Sequence, residues 1–339
     1  MKKKILIVGG CGFIGHNLAL KLKKQKFNVT VLDSLGVNNL KTVKESEITS
    51  KKLYKSILEN RIKLLKKNKI EIFIKDAKNK DSRKIYKKIN PSIVIHLAAV
   101  SHANKSNKDP QNTFDNSIVS LQNSLEYCRS NKNIHLIYLS SSMVYGNFNG
   151  KKVKENTTLK PIGIYANLKF AGELMIKSYK QIFGLRYTII RPSALYGERC
   201  VSRRVGQIFI ENALNKKLIT INGTGEEKLD FTYIEDLMKG IILCVRKRSA
   251  INQTFNITFG NAKKINSLLK ILKSEFPKVK VQYKNWEKFT PKRGTLSISK
   301  AKKLLGYKPT YSISKGYKIY INWYKEFFKN SALRKKNEY

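Results

Sequence analysis

Short apolar runs rich in β-branched residues alternate with longer segments of helical periodicity over the first 190 residues. The run Lys4–Val8 has no polar residue inside it, which is typical of a strand covered on both faces of a parallel sheet. Similar runs predict strands at residues 27–32, 70–74, 92–99, 134–139 and 186–191. Between them, the periodicity predicts helices at residues 13–24, 50–67, 81–89, 112–128 and 165–183. Strands alternating with helices predict a doubly wound α/β domain with a parallel sheet.

The pattern changes after Pro192. Helices are expected near residues 207–215, 234–246, 267–275, 299–306 and 314–328, mixed with short strands at 254–258 and 279–283. We interpret this part as a smaller mixed α/β lobe over the carboxyl edge of the sheet, where ligands bind in such folds. The expected organisation is a sheet domain over 1–191, a substrate lobe over 192–330 with some segments returning to the sheet, and a frayed tail over 331–339.

A glycine turn joins the first strand to the first helix. Gly12 and Gly15 fit a dinucleotide-binding spacing together with Gly10, and a wider spacing together with Gly9. Such glycines permit a tight turn, a close approach of the backbone to a pyrophosphate, and close packing of helix on strand. Asp33 ends the second strand, where a carboxylate accepts hydrogen bonds from a ribose diol and repels a 2′-phosphate. The sequence therefore favours NAD over NADP.

Composition limits the other classes of function. The formal net charge is +45, but only 12 of the 68 basic residues are Arg, and lysines occur on every predicted helix. This distribution indicates solvated faces, so we expect no specific nucleic-acid partner, whereas the positive field favours anionic substrates. No apolar run approaches the length that spans a bilayer. Neither the four Cys nor the four His show metal-ligand spacing, and the chain is expected to be cytoplasmic and metal-free.

A phenol and an ammonium four residues apart give the best candidate for catalysis. Tyr165 and Lys169 would share one face of a helix. A nearby ammonium favours the phenolate and lowers the pKa of a phenol, which makes it a better base near neutral pH. Ser141, at the end of the preceding strand, is placed to hydrogen-bond the same substrate oxygen. Together these groups would remove a proton from a secondary alcohol while hydride leaves for NAD.

With these motifs the chain resembles the extended short-chain dehydrogenase/reductases, in the branch of NAD-dependent nucleotide-sugar epimerases and dehydratases. The resemblance covers about residues 4–325 and implies a Rossmann sheet. It is carried by the glycine turn, Asp33, Asp76, His96–Ala99, Ser140–Gly146, Tyr165 with Lys169, Arg191–Gly197, Asp230–Asp236 and Ser299–Gly306.

The resemblance implies a set of site residues and a homodimer. The implied catalytic residues are Ser141, Tyr165 and Lys169. The implied cofactor-binding residues are Gly9, Gly12, Phe13, Ile14, Gly15, Asp33, Asp76, Ala77, Leu97, Ala98, Ala99, Tyr165, Lys169 and Pro192. Asp76 with Ala77 would border the adenine, and Lys169 would also bind the nicotinamide ribose. The implied dimer is built from helices near residues 112–128 and 165–183.

The two residues that follow Ser141 distinguish the reaction types within this family. Dehydratases place Asp-Glu there and decarboxylases keep a Glu, whereas this chain has Ser142 and Met143. We therefore favour an epimerase, acting at C4 of a UDP-sugar-like substrate through a transient keto-sugar. A dehydratase, decarboxylase or dehydrogenase of the same family is the alternative, and a non-catalytic nucleic-acid-binding protein is a remote one.

Two substrate positions depart from the family pattern. Ala194 and Leu229 stand where Asn and Arg commonly touch the substrate's diphosphate, and neither apolar side chain can do so. Lys228 or the arginines would have to supply the charge. The expected substrate residues are Ser142, His102, Arg203, Arg204 and Arg293, with surface or loop roles as the alternative for the arginines and His102.

Overall fold

The computed structural model describes residues 3–44, 51–100, 103–285 and 291–336. Its centre is a seven-stranded sheet in which all strands run parallel, in the order β11-β6-β5-β4-β1-β2-β3. The strands are β1 (Lys4–Val8), β2 (Asn28–Asp33), β3 (Glu71–Ile74), β4 (Ile93–His96), β5 (His135–Leu139), β6 (Arg186–Arg191), β7 (Leu195–Tyr196), β8 (Ile219–Asn222), β9 (Lys228–Leu229), β10 (Thr232–Tyr233), β11 (Gln253–Asn256), β12 (Lys263–Lys264) and β13 (Val281–Lys284).

Helices cover both faces of this sheet, as a doubly wound fold requires. They are α1 (Phe13–Lys24), α2 (Leu40–Lys44), α3 (Lys51–Lys67), α4 (Ser82–Ile89), α5 (Ala103–Lys108), α6 (Pro110–Phe114), α7 (Ser120–Arg129), α8 (Ile164–Phe183), α9 (Val205–Leu214), α10 (Ile234–Arg246), α11 (Ile265–Glu275), α12 (Ser299–Leu305) and α13 (Ile313–Lys336). Short 3₁₀ turns cover Ser142–Tyr145 and Arg248–Ala250. The doubly wound parallel fold expected from the alternating pattern is confirmed.

The apolar run of β1 shows why the sheet lies inside the protein. Ile5 and Ile7 belong to one core cluster, whereas Leu6 and Val8 belong to another on the opposite face. Side chains alternate between the faces of a strand, so a strand buried on both sides has no place for polar residues.

The chain after Pro192 contributes to both parts of the molecule. Strand β11 pairs with β6 at the edge of the main sheet, and α10 packs against α1. The short pairs β8 with β13, β9 with β12 and β7 with β10 lie outside that sheet. Helix α13 packs against α9 and α3 and buries Tyr317, Tyr320 and Tyr324.

Two expected elements differ in the structure. The helix expected from residue 112 begins at Pro110, where the Asp109 carboxylate caps it by accepting the Asn112 N–H at 3.0 Å, and it passes through a π-helical turn at Asp115–Val119. An Asp-Pro pair is a helix-start signal that the apolar pattern alone does not reveal. The final helix, expected near residues 314–328, extends further, because α13 continues to Lys336, and the frayed tail over 331–339 stays a prediction. No Gly or Pro interrupts this segment, so nothing in its sequence ends the helix earlier.

Candidate active site

The glycine turn forms the floor of a cleft at the carboxyl edge of the sheet. Gly9 has a φ of +80°, which favours glycine, and a side chain at Gly15 would approach the Gly10 Cα and the Gly9 carbonyl oxygen to 2.5 Å. This turn therefore brings backbone, not side chains, to the cleft. The predicted cofactor residues that line it are Gly9, Gly12, Phe13, Ile14, Gly15, Asp33, Asp76, Ala77, Leu97, Ala98 and Ala99.

Asp33 stands at the end of β2 with its carboxylate fixed by backbone groups. It accepts the Cys11 N–H at 2.8 Å and the Leu35 N–H at 2.7 Å. Burial raises the pKa of Asp33, while these two hydrogen bonds act in the opposite direction. A carboxylate oxygen has lone pairs beyond those used here, and such a group in a cleft suits a ribose diol. The glycine floor and this acid fit a dinucleotide with an unphosphorylated ribose.

Three predicted catalytic residues come together near the carboxyl end of β5. Ser141 follows that strand and begins a 3₁₀ turn, in which its Oγ accepts the Met143 N–H at 3.1 Å. Lys169, in the second turn of α8, reaches the same strand end and donates from Nζ to the Leu139 carbonyl at 2.8 Å. Tyr165 is half-buried one turn before Lys169 on α8. Strand end and helix thus place a hydroxyl, a phenol and an amine in one region.

Lys169 has an unusual electrostatic environment. Its side chain is buried, and Nζ lies 5.0 Å from the centre of the Tyr138 ring. Burial lowers the pKa of Lys169 to about 7, and the negative charge of Glu173 opposes that shift. An amine with a pKa near neutrality can exchange a proton at physiological pH.

Sequence reasoning missed a buried ion pair behind this group. Glu173, one turn after Lys169, receives two hydrogen bonds from the Arg191 guanidinium, at 2.9 Å and 2.6 Å. The Ser140 hydroxyl also donates to Glu173 at 2.5 Å. Two features of the sequence could have indicated this pair: Glu173 lies four residues after Lys169, and Arg191 ends a buried strand. The pair anchors the residue just before Ser141.

The predicted substrate residues lie at two places. Arg293 donates from Nη1 to the Ser142 hydroxyl at 3.2 Å, and Tyr165 and Arg204 lie within its electrostatic range. Burial, with a smaller contribution from Arg204, lowers the pKa of Arg293 to about 10. Arg204 is exposed and lines the cleft of the glycine turn, and the exposed Arg203 is bonded through its backbone N–H to the Gln207 side chain at 2.9 Å.

Some predicted residues lie elsewhere. Tyr165, Lys169 and Pro192 are not part of the cleft wall, although the Pro192 carbonyl accepts the Ser142 N–H at 2.9 Å and so borders the serine turn. His102 lies outside the described residues. Within the described ranges, no group of three or more His, Cys, Asp or Glu side chains is arranged to hold a metal ion.

Arg61 is a further residue of the cleft wall that the sequence did not reveal. It comes from α3, which the sequence predicts as an amphipathic, lysine-rich helix. Arg61 occupies the same helical stripe as Tyr54, Ile57, Leu58 and Leu65, and this lone Arg on the apolar face was the available signal.

The family model of the NAD dependent epimerase/dehydratase family matches residues 5–258. The chain is 30% identical to a putative UDP-glucose 4-epimerase of Methanocaldococcus jannaschii, over 95% of this chain and 98% of that protein. It is 31% identical to the UDP-glucuronate 4-epimerase of Thermodesulfobacterium geofontis, over 95% of this chain and 96% of that one.

Two solved structures resemble the whole chain. The UDP-glucuronic acid 4-epimerase of Bacillus cereus, solved with UDP-glucuronic acid and NAD, has a TM-score of 0.86 at 28% identity, covering 95% of this chain and 99% of that one. The UDP-glucose 4-epimerase of Thermotoga maritima, solved with UDP-glucose, has a TM-score of 0.83 at 26% identity, covering 96% and 99%.

Proposed function

Because the chain belongs to the NAD dependent epimerase/dehydratase family, we propose that it inverts C4 of a UDP-sugar. NAD is its cofactor. When bound, NAD would supply the reversible acceptance of a hydride from the sugar carbon. The observation that carries the proposal is the meeting of Ser141 and Lys169 at the end of β5, with Tyr165 one helical turn away.

In this proposal the three residues move one proton. Tyr165 takes the proton of the sugar hydroxyl during oxidation and gives it back when the hydroxyl is restored. Ser141 holds the same oxygen by a hydrogen bond. In its protonated form Lys169 stabilises the phenolate, because an adjacent positive charge favours the ionised form of a phenol.

The residues after Ser141 favour epimerisation over the other reactions of the family. Ser142 is buried and bonded to Arg293, and Met143 has no ionisable group. Elimination of water or loss of CO₂ from a keto-sugar calls for a positioned acid or base. Neither side chain supplies one, so the keto-sugar would be reduced again rather than diverted.

We further propose that Arg293 and Arg204 hold the diphosphate in place of the two apolar residues Ala194 and Leu229. Arg293 lies beside Ser142 and within electrostatic range of Tyr165, so an anion bound to it would be next to the reacting sugar. Arg203 and Arg204 precede α9 and are exposed, on the loop expected to cover the nucleotide. Lys228 on β9 is exposed as well.

The function is tested by incubating the protein with UDP-glucose, UDP-glucuronate and UDP-N-acetylglucosamine in D₂O. We expect one of them to give its C4 epimer without solvent deuterium in the product, because the same hydride leaves and returns. NMR of the product identifies the C4 epimer and measures its deuterium content. A stable keto-sugar, released CO₂, deuterium in the epimer, or no reaction with any of the three would contradict the proposal.

We also propose a homodimer formed through α8 and the helical segment near residues 112–128. Leu174 and Ile182 on α8, and Phe114 on α6, are large apolar side chains that are 43% to 70% exposed. A dimer would cover this face. Light scattering should then give about twice the chain mass of 39.0 kDa, and a lower mass for Ile182→Glu. A monomer at micromolar concentration would contradict the dimer.

We propose a cytoplasmic location on the basis of the cysteines. Cys11, Cys128, Cys200 and Cys244 are all free and buried, which suits the reducing cytoplasm. In the described part of the chain, no helix is long and apolar enough to cross a bilayer. The absence of a specific nucleic-acid partner stays a prediction.

A further inference from the structure

Arg61 is a buried cation in the wall of the cofactor cleft. Its side chain is only 1% exposed, and it comes from a helix whose other basic side chains are mostly exposed lysines. Burying a guanidinium is unfavourable unless anions or other acceptors replace its water. The contacts of Arg61 therefore indicate what it binds.

The protein supplies acceptors for only part of this guanidinium. Both Nε, at 3.0 Å, and Nη2 donate to the carbonyl oxygen of Arg199. The described residues offer Nη1 no hydrogen-bond acceptor. A guanidinium has five N–H groups arranged as a planar fork. The edge formed by Nε and Nη2 donates to the Arg199 carbonyl, so the edge that includes Nη1 is still able to donate to a ligand.

The charges around Arg61 do not neutralise it. Asp33 attracts it across the cleft wall, but the two form no ion pair in the described part of the chain. Arg199 lies nearby with the same sign. Burial lowers the pKa of Arg61 to about 10, as expected for a cation that lacks a close anion.

Arg61 also lies close to the place where the cofactor phosphates are expected. It is within electrostatic range of Cys11 in the glycine turn and of His16 in the first turns of α1. The first turn of α1 carries no acidic residue, and the amino end of a helix favours phosphate. Of the residues lining the cleft, the cationic ones are Arg61 and Arg204.

We propose that Arg61 is a cofactor-binding residue, which donates from its unused edge to a phosphate oxygen of NAD while its other edge fixes the Arg199 carbonyl. Arg61 would then join three elements when the cofactor binds: α3, the loop before α9 and the glycine turn. Helix α3 would thus be part of the cofactor site.

The test measures binding to the cofactor-stripped protein rather than turnover. In calorimetric titrations with NAD and ADP-ribose, Arg61→Met is expected to weaken both about 10- to 100-fold, the range for a lost charge-assisted hydrogen bond. The affinity for adenosine, which has no phosphate, should fall less than threefold. The matched control Lys63→Met removes an exposed positive charge from the same helix and should bind NAD like the wild type.

Arg61→Lys keeps the charge and guards against a folding defect in the Met variant. Its single ammonium cannot bond the Arg199 carbonyl and a phosphate with two separate edges, so we expect NAD to bind at least threefold more weakly. Wild-type NAD affinity in Arg61→Lys would overturn the proposal. So would a loss of adenosine binding by Arg61→Met as large as its loss of NAD, because a purely structural role would affect both ligands.

Discussion

Replacing Tyr165 with Phe is expected to lower turnover of the UDP-sugar about 1,000-fold or more, because the phenol hydroxyl both takes and returns the proton of the sugar hydroxyl. The substitution removes one oxygen from a half-buried side chain at the start of α8, so the fold should be preserved. The loss should appear in kcat rather than in the affinity for the nucleotide sugar. Initial rates of epimer formation, followed by chromatography of the two sugar nucleotides, measure it.

The control for this result is Tyr179→Phe, which removes a phenol hydroxyl about 21 Å further along the same helix, at about 1.5 Å per residue. The Tyr179 hydroxyl bonds Glu126 and Gln122 on α7, at 2.6 Å and 2.7 Å. Turnover by this variant should stay within a few-fold of the wild type. Calorimetric titration should show that Tyr165→Phe still binds NAD. If Tyr165→Phe retains full activity, the phenol is not the proton carrier and the assignment of the site is wrong.

The second large effect is the pH dependence of stability contributed by Lys169. Its pKa falls from an ordinary value of 10.5 to about 7 because the ammonium is buried. Between these values the unfolded chain holds a proton that the folded chain has released. The free energy of unfolding that Lys169 contributes therefore rises with pH through this window, and below pH 7 the folded state carries the full cost of the buried ammonium.

We expect the free energy of unfolding of the wild type, relative to Lys169→Met, to increase by as much as about 4 kcal/mol between pH 6.5 and pH 10. Urea unfolding of both proteins over this range measures the difference. Lys177→Met, which alters an exposed lysine of the same helix, should differ from the wild type by a nearly constant amount. A constant difference for Lys169→Met as well would show that the folded state does not disfavour the ammonium.

The Glu173–Arg191 ion pair bears on both the turnover expected of the site and the pKa of Lys169. Glu173 lies one turn beyond Lys169 and opposes the loss of its proton, while the Ser140 hydroxyl ties it to the strand end that presents Ser141. Such a buried pair fixes geometry rather than adding much net stability, because both charges lose their water. The proposed catalytic residues are thus held in part by a buried ion pair behind them.

Local sequence was enough to predict the first half of the site. The glycine turn, Asp33 and the Tyr165–Lys169 pair are defined by residues close together in the chain, where strand and helix geometry fixes which groups meet. The carboxyl ends of parallel strands meet at one edge of a sheet, so Asp76 and residues 97–99 could be assigned to the same cleft.

Contacts between distant segments could not be predicted in this way. Arg293 meets Ser142 across 151 positions of the chain, and Arg61 meets the Arg199 carbonyl across 138. No periodicity links such positions. The continuation of α13 to Lys336 was missed for a different reason, since chain ends commonly fray.

The sequence by itself determined the layered α/β fold and the glycine turn and led to the proposed trio of Ser141, Tyr165 and Lys169, because hydrophobic period and short spacings act within one element or between successive elements. The tertiary structure alone decided which cations enter the site. It placed Arg61 in the wall of the glycine-turn cleft and Arg293 beside Ser142, and left Lys228 on the surface. In a chain with 68 basic residues, charge is everywhere along the sequence, and only packing decides where it is buried and directed at a ligand.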